Sequence, residues 1–205
     1  MNIFCVVRNY APHAAEMQSA LPTEPIFFSK PDTALLTTPS TVSYPDFTHN
    51  LHHELELVIR IERTGSHIPL SEAHLYYHSV ALGIDLTARD LQSAAKASGM
   101  PWLLSKGFDG SAIVSPFVSL ETLGKPITDL TFSLQIGNQI VQQGNSRDMI
   151  FSPDRLITYL SHYITLTAGD LIYTGTPAGV GPIKRNDHLL GTLEGRPLLT
   201  IVCED

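Results

Sequence analysis

The alternation of polar and apolar residues is most regular from Asn50 to Ile61, where it predicts a long β-strand with one buried face. Other apolar runs predict strands at residues 3–7 and 80–86, and hairpins at 130–144 and 188–205. Within residues 169–181, a strand is predicted to run into a Gly/Pro-rich turn. The turn of the first hairpin is Gly137-Asn138. The pattern therefore indicates a chain built mainly from strands.

Helical spacing occurs in four shorter segments, at residues 11–20, 71–79, 87–99 and 152–165. The third segment ends at Gly99, a residue type suited to a helix C-terminus. The fourth has Ser152 as N-cap and Pro153 at the first helical position. Its predicted apolar face consists of Leu156, Tyr159, Leu160 and Tyr163. Strands outnumber helices, so the predicted fold class is α+β, strand-dominated, with residues 1–205 in a single domain.

Composition and charge narrow the function classes. The chain has 205 residues, 43% hydrophobic and 16% charged, as expected of a globular protein. Its formal net charge of −7 argues against a nucleic-acid or anionic-membrane surface, whereas a small anionic substrate needs only a few cations or one metal ion. Cys5 and Cys203 form neither a disulfide framework nor a metal motif. The sequence has no evident signal peptide or membrane span, so we expect a cytoplasmic protein.

Three acidic residues suggest a metal site. Glu54 and Glu56 lie two residues apart on the predicted strand and point to one side, where they repel unless one is protonated or a cation lies between them. Asp85 ends an apolar run where a buried strand gives way to a helix. Carboxylates suit a hard divalent cation such as Mg²⁺, Mn²⁺ or Ca²⁺, and three of them leave positions open for water and substrate. The alternative is a solvated face on an edge strand.

Several other catalytic motifs are absent from the sequence. It contains no G-x-S-x-G and no Walker A motif. It contains no H-E-x-x-H, because Leu57 stands where the second histidine would be. The segment GTPAGVG is not G-x-G-x-x-G and is not followed by a helical pattern. These absences argue against a nucleophile-elbow serine hydrolase, a zinc metalloprotease and a nucleotide-binding enzyme.

Seven blocks follow one another along the chain: CVVRNYAPHAAEM, FFSKP, HHELELVI, GIDLTARDLQ, PWLLSKGFDGSAIVSP, RDMIF and GDLIYTGTPAGVGPI. In this order they resemble the fumarylacetoacetate hydrolase family, in its short acylpyruvate hydrolase branch, from about Phe4 to the C-terminus. The resemblance implies a mixed β-sandwich roll with a few short helices, a homodimer, and Mg²⁺ or Mn²⁺ held by Glu54, Glu56 and Asp85. Two departures are that Ala168 replaces a usual proline, and that the block after Lys106 lacks a frequent cysteine, which bears on substrate choice.

The resemblance also implies catalytic residues. In PHAAE it places a catalytic dyad at His13 and Glu16, which share a helix face at i and i+3, so that Glu16 can orient His13 and raise its basicity. It implies that Lys106 is an active-site lysine that stabilises negative charge. The alternatives are a surface helix with an unrelated His and Glu, and a solvated surface lysine.

Further residues of the matched blocks are assigned with less detail. Arg8, Gln92 and Thr176 are predicted to bind substrate, the last through its hydroxyl and nearby N–H groups, unless TGTP is a simple tight turn. Tyr10 and Lys30 have no assigned role. We interpret His52, His53 and Arg89 as structural or supporting residues and Trp102 as a packing residue.

Together these residues predict metal-assisted hydrolysis of the C–C bond of a 3-acylpyruvate, such as acetylpyruvate or fumarylpyruvate, to pyruvate and a carboxylic acid. His13 would activate water, and Lys106 would stabilise the leaving enolate. One rival is oxaloacetate decarboxylation or keto–enol tautomerisation with the same metal. Another is a non-catalytic, metal-stabilised interaction protein. The expected ligand is a small anionic keto acid, with no nucleic acid and no membrane as partner.

Overall fold

The computed structural model describes residues 1–16 and 20–204, and it confirms the strand-dominated α+β class. The strands are β1 (Ile3–Val7), β2 (Ile26–Lys30), β3 (Leu35–Thr37), β4 (Ser40–Ser43), β5 (Leu51–His53), β6 (Leu55–Arg60), β7 (Ser79–Asp85), β8 (Thr87–Ala88), β9 (Ala112–Val114), β10 (Val118–Ser119), β11 (Thr131–Ile136), β12 (Gln139–Asn145), β13 (Leu171–Tyr173), β14 (Gly181–Pro182), β15 (His188–Leu193) and β16 (Arg196–Glu204). The α-helices are α1 (Ala11–Glu16), α2 (Arg89–Ser98), α3 (Leu103–Lys106), α4 (Leu120–Leu123) and α5 (Pro153–Tyr163).

The strands form three sheets. The largest has the order β2-β1-β13-β6-β7-β9-β3, with β10 paired to β7. A five-stranded sheet, β12-β11-β15-β16-β4, packs against β6 and β7 through a shared apolar core. Both sheets are mixed, because β1 and β13, β3 and β9, and β16 and β4 pair in parallel. A small third sheet joins β14, β5 and β8. The architecture agrees with the sandwich that the resemblance implies.

The strand predicted for residues 50–61 is divided at Glu54. β5 precedes this residue and β6 follows it, in different sheets. At the break the Asp85 N–H donates to the Glu54 carbonyl at 2.9 Å, whereas the Leu55 N–H donates to the Gln142 side-chain oxygen at 2.9 Å. β6 lies between β13 and β7 and is buried on both faces except at its last residue. The prediction of one half-buried strand is therefore wrong, and so is the edge-strand alternative.

The predicted helices are correct in part. Residues 71–79 form only a 3₁₀ turn, Ala73–Tyr76, with no side-chain cap. α2 begins two residues later than predicted and ends, as predicted, at Gly99, whose φ of 66° is left-handed. α1 confirms residues 11–16 of the first predicted helix, and residues 17–19 of that prediction lie outside the described residues. Among the described helices, none has both the length and the hydropathy that a bilayer crossing requires.

The predicted cap of α5 is confirmed, but its predicted apolar face is not. Ser152 Oγ accepts a hydrogen bond from the Arg155 N–H at 3.3 Å. The buried residues of the helix are Pro153, Leu156, Ile157, Leu160 and Ser161. Tyr163 is 68% exposed, and Tyr159 is only half-buried. At 3.6 residues per turn, Leu156, Ile157 and Leu160 share the helix face that packs on the core. Tyr159 and Tyr163 lie outside that face and point away from the core.

Close packing around β7 fixes the position of Asp85. Every residue of this strand is buried. At Gly83 a Cβ atom would lie 2.5 Å from both Tyr173 Cε1 and Val58 Cγ2, so the neighbouring strands approach the backbone more closely than a side chain would allow. The last residue of β7 is therefore held where β5 gives way to β6.

Candidate active site

Three buried carboxylates lie together where the strands of two sheets meet. Glu54 occupies the break between β5 and β6, Glu56 is the second residue of β6, and Asp85 is the last residue of β7. They are 7%, 1% and 1% exposed. One ligand oxygen from each lies within 4.8 Å of the others. The tertiary structure thus brings together the three acids that the sequence singles out.

Lys106 bridges two of these acids. Its Nζ donates to Glu54 Oε2 at 2.9 Å and to Asp85 Oδ2 at 2.7 Å. The residue is 2% exposed, which rules out a solvated surface lysine. Burial would lower the pKa of Lys106, but the charges of Asp85 and Glu54 outweigh it and raise that pKa, so the ammonium stays charged.

Arg89 contacts the same acid from the other side. Its Nη2 donates to Glu54 Oε1 at 2.5 Å, and its Nη1 donates to Gln92 Oε1 at 2.6 Å. Burial would raise the pKa of Glu54, but the charges of Lys106 and Arg89 outweigh burial and hold that pKa well below its usual range. Glu54 is therefore ionised, and the positive charges of Lys106 and Arg89 balance its negative charge.

Lys30 reaches the site from β2. Its Nζ lies 2.7 Å from Asp85 Oδ1. It donates hydrogen bonds to the carbonyl oxygens of Leu86, Lys106 and Ser111, which accounts for the three protons of an ammonium. Asp85 Oδ1 is buried and accepts no hydrogen bond from any described residue. The positive charge of Lys30 thus balances the charge on this oxygen, but no described residue donates a hydrogen bond to it.

Glu56 has no cationic partner among the described residues. The Gly175 N–H donates to its Oε2 at 2.6 Å. Burial, with the nearby charges of Asp85 and Glu54, raises the pKa of Glu56 well above its usual value. Of the three acids, Glu56 is the one whose ionised form is least compensated by protein groups.

The three acids fit a hard divalent cation. All the donors are carboxylate oxygens, the ligand type that Mg²⁺ and Mn²⁺ prefer. Asp85 Oδ1 lacks a hydrogen-bond donor and Glu56 lacks a cation, and a bound divalent ion would satisfy both. The donor set and its unsatisfied atoms thus point to a metal site, while the identity of the metal remains a prediction.

Gly175 allows the backbone to approach Glu56, and its replacement gives a testable result. It has a φ of 95°, and a Cβ atom would lie 2.6 Å from Asn9 Cβ. We expect Gly175→Ala to destabilise the protein by about 3 kcal/mol, measured by chemical unfolding, because strain and overpacking add. The control is Gly99→Ala, where φ is 66° and no atom lies within 4 Å; strain alone should cost about 1 kcal/mol. Equal losses in the two variants would contradict the packing argument.

The predicted dyad lies beside the acids. His13 Nδ1 is 3.3 Å from Glu16 Oε2, and His13 is 7% exposed and lines the same cavity as Glu54, Glu56 and Asp85. The Gly179 N–H lies 3.3 Å from both carboxylate oxygens of Glu16 and donates to them. The burial of His13 argues against an unrelated pair on a surface helix. The contact with Glu16 leaves Nε2 of His13 as the nitrogen available to a ligand.

Thr176 lies in the cavity wall, but its hydroxyl is used within the protein. It donates to the Leu55 carbonyl at 2.8 Å and accepts from Gln142 Nε2 at 2.8 Å. The oxygen of Gln142 accepts from the Leu55 N–H and from His53 Nδ1, so this side chain joins the Glu54 break to the TGTP segment. The expectation that the Thr176 hydroxyl donates to a substrate carboxylate does not fit this geometry. Its backbone N–H is the remaining donor, since it bonds to no described residue.

The cavity is small, with a volume of about 40 Å³. It is lined by the three acids, by Lys106, and by all the predicted catalytic and substrate-binding residues except Glu16, which lies behind His13. Trp102, predicted as a packing residue, also lines the cavity.

Three cations near the acids were not predicted as site residues. Lys30 and Arg89 belong to the matched blocks FFSKP and GIDLTARDLQ, but no local pattern distinguishes a buried lysine or arginine from an exposed one. Lys96 lies one helical turn after Gln92 and lines the cavity. The i, i+4 spacing from Gln92 was the available signal for Lys96.

Comparison with known proteins gives matches along nearly the whole chain. A family model for the C-terminal fumarylacetoacetate hydrolase region matches residues 2–199. The chain is 45% identical over 194 residues to the mitochondrial oxaloacetate tautomerase FAHD1 of Mus musculus, covering 95% of this chain and 87% of the relative. It is 42% identical over 183 residues to a mitochondrial oxaloacetate decarboxylase of Dictyostelium discoideum, covering 89% and 84% of the two chains.

A solved structure shows the same fold. The fumarylpyruvate hydrolase of Pseudomonas aeruginosa, in complex with Mn²⁺ and pyruvate, matches with a TM-score of 0.91 and 36% identity, covering 100% of this chain and 90% of that one. The homodimer and the cytoplasmic location stay predictions. Since the family model spans nearly the whole chain and the relatives exceed 40% identity, this chain belongs to the fumarylacetoacetate hydrolase family, which is a family of enzymes.

Proposed function

We propose that this protein is a divalent-metal-dependent enzyme that catalyses keto–enol tautomerisation of oxaloacetate. The observation that carries the proposal is that His13, which is paired with Glu16, borders the same small cavity as the three buried acids. Tautomerisation needs a base at the carbon next to a keto group and positive charge at the keto oxygen. The names of the mouse and Dictyostelium relatives favour oxaloacetate over other keto acids.

Glu54, Glu56 and Asp85 would hold Mg²⁺ or Mn²⁺, which when bound supplies Lewis-acid polarisation of the keto acid. His13 would take the proton from C3 of the substrate as the C2–C3 double bond forms, and the return of that proton to the keto oxygen would complete the enol. Glu16, 3.3 Å from Nδ1, orients the ring. Lys106 adds fixed positive charge beside the acids, where negative charge develops on the substrate.

Gln92 and Thr176 would position the substrate. Gln92 is 3% exposed, and its side-chain oxygen already accepts from Arg89, which leaves its NH₂ group to donate. The Thr176 N–H is the second donor, because no described residue accepts from it. Two neutral donors and the nearby cations suit a carboxylate and a keto oxygen on the same small molecule.

Hydrolysis of an acylpyruvate is the second candidate, and the Pseudomonas fumarylpyruvate hydrolase favours it. The same His13–Glu16 pair could take a proton from water instead of from carbon, and the water oxygen would attack the distal carbonyl. The C–C bond would then break, with its electron pair leaving on the pyruvate enolate, which is protonated to pyruvate. Oxaloacetate decarboxylation needs no water base, because the bond to CO₂ breaks once the keto group is polarised. The three reactions therefore place different demands on His13.

A substrate panel separates these candidates. Purified protein would be assayed with oxaloacetate, acetylpyruvate and fumarylpyruvate, each with Mg²⁺, with Mn²⁺ and with EDTA, following enol absorbance, pyruvate and CO₂. We expect metal-dependent equilibration of the oxaloacetate tautomers to be the fastest activity. Faster release of pyruvate from an acylpyruvate would replace the main proposal by the second candidate. Turnover that EDTA leaves intact would contradict both.

His13→Ala tests the proposed base. We expect tautomerisation to fall roughly 10²–10⁴-fold, because a general base contributes about that factor. Any decarboxylation should fall much less. The matched control is His188→Ala, at an exposed strand position, which should leave both rates unchanged. Equal losses of tautomerisation and decarboxylation would count against a dedicated base at His13.

A further inference from the structure

Two cations that line the cavity have side chains with no acidic partner among the described residues. The side chains of Arg8 and Lys96 make neither an ion pair nor a hydrogen bond there, although the chain as a whole has a net charge of −7. In contrast, Arg89 and Lys106 are bonded to the acids of the site. An acidic protein that leaves two cations unpaired at one cavity has a local excess of positive charge there.

Lys96 lies at the solvent-facing edge of the cavity. It follows Gln92 by four residues on α2, so both side chains lie on the same helix face. Its Nζ lies 5.3 Å from the centroid of the Trp102 ring, and this ring packs edge-on against Phe28 at 6.0 Å. Both rings line the cavity. The cation–π contact holds the ammonium near the ring, and its N–H groups have no hydrogen-bond acceptor among the described residues.

Arg8 borders the same cavity between β1 and α1. Its φ of 59° lies in the left-handed region, which a non-glycine residue adopts at a cost. Partial burial, with the charges of Arg89 and Arg8, lowers the pKa of Lys96. The mutual repulsion of these cations would be relieved by an anion lying between them.

The charge balance of the cavity favours an anion with two charges. Its lining carries four lysine and arginine side chains against three carboxylates. A divalent metal ion would add two more positive charges. A monoanionic keto acid would leave most of this excess uncompensated, whereas a dianion would compensate more of it.

We propose that Lys96 and Arg8 form an anion subsite at the cavity mouth, which binds the second carboxylate of a dicarboxylate and so selects dianionic over monoanionic substrates. This inference rests on the proposed function, because it assumes that the first carboxylate and the keto oxygen lie near the three acids. It adds a specificity role for Lys96 to the assignments already made for the site.

L-Malate and L-lactate provide the test, because they share a 2-hydroxy acid group and differ by one carboxylate. Their dissociation constants would be measured by titration calorimetry with Mg²⁺-saturated wild-type protein and with Lys96→Met, which keeps an unbranched side chain and removes the charge. We expect wild type to prefer malate. Lys96→Met should weaken malate binding roughly tenfold to a hundredfold, the usual size of a charge-assisted contact, with little effect on lactate.

Two further variants complete the test. Lys96→Arg should restore most of the malate preference, and Lys184→Met, an exposed lysine on another part of the surface, should leave it unchanged. No malate preference in wild type, or equal losses for both ligands in Lys96→Met, would overturn the subsite. A wild-type protein that prefers malate but does not turn over oxaloacetate would refute the proposed function and leave the subsite standing.

Discussion

Replacing Glu56 with glutamine is expected to stabilise the metal-free protein and to lower the activity of the metal-loaded protein roughly 10³-fold. The loss of activity follows from the loss of one of the three carboxylates that would hold the metal. The stabilisation follows from the surroundings of Glu56, which include two other buried acids and no cationic partner of its own among the described residues. Glutamine keeps an acceptor for the Gly175 N–H and removes the charge. We expect the free energy of unfolding to rise by roughly 1–3 kcal/mol.

Asp85→Asn is the matched comparison, because the change in shape and charge is the same. Asp85 contacts the ammonium groups of Lys106 and Lys30, both buried. Removing its charge leaves these lysines without their shared partner, which should cost about 3–5 kcal/mol. The two variants should therefore lose activity alike but shift stability in opposite directions. Parallel stability shifts would show that the charge balance described here is wrong.

The stability of the metal-free protein should also depend on pH through Glu56. Its pKa is raised in the folded protein, so its contribution to stability is fully present below the ordinary glutamate value of 4.5 and is lost as the pH rises through the raised value. Thermal unfolding with EDTA should show this loss in wild type, and a smaller one in Glu56→Gln. Mg²⁺ should oppose the loss, because the metal binds the ionised form.

Replacing Lys106 with methionine should lower activity roughly 10²–10³-fold and at the same time tighten metal binding. The activity falls because a fixed positive charge beside the reacting oxygens is lost. Metal binding tightens, by roughly tenfold or more, because the ammonium within 3 Å of Glu54 and Asp85 no longer repels the ion. Titration calorimetry with Mn²⁺ measures the second effect directly.

The stability of Lys106→Met should depend on the metal. Without metal we expect a loss of about 3–5 kcal/mol, because two buried carboxylates lose a shared partner. Mn²⁺ should recover much of that loss by replacing the missing charge. Lys125→Met is the control, since its ion pair with Glu194 is partly exposed and should contribute at most about 1 kcal/mol. A variant that is equally unstable with and without Mn²⁺ would argue against a metal at these acids.

The local sequence pattern was informative wherever a residue's position depends on its near neighbours. The hairpin turn at Gly137-Asn138, the Ser152 cap and the Gly99 helix end are decided within a few residues, and the structure confirms each. The pattern was misleading at residues 50–61. There the alternation continues through Glu54, but the Gln142 side chain from the opposite sheet takes the Leu55 N–H and ends the strand.

The sequence by itself determined which acids could share a divalent ion, because two of them are two residues apart and the third ends a buried strand. Only the tertiary structure decided which cations balance the charges of those acids. Lys30 is 55 residues and Lys106 is 21 residues from Asp85 along the chain. Burial makes each of these contacts strong and makes each missing partner costly. Because burial depends on how distant segments pack, the unequal charges around Glu54, Glu56 and Asp85 could not be read from the order of the residues.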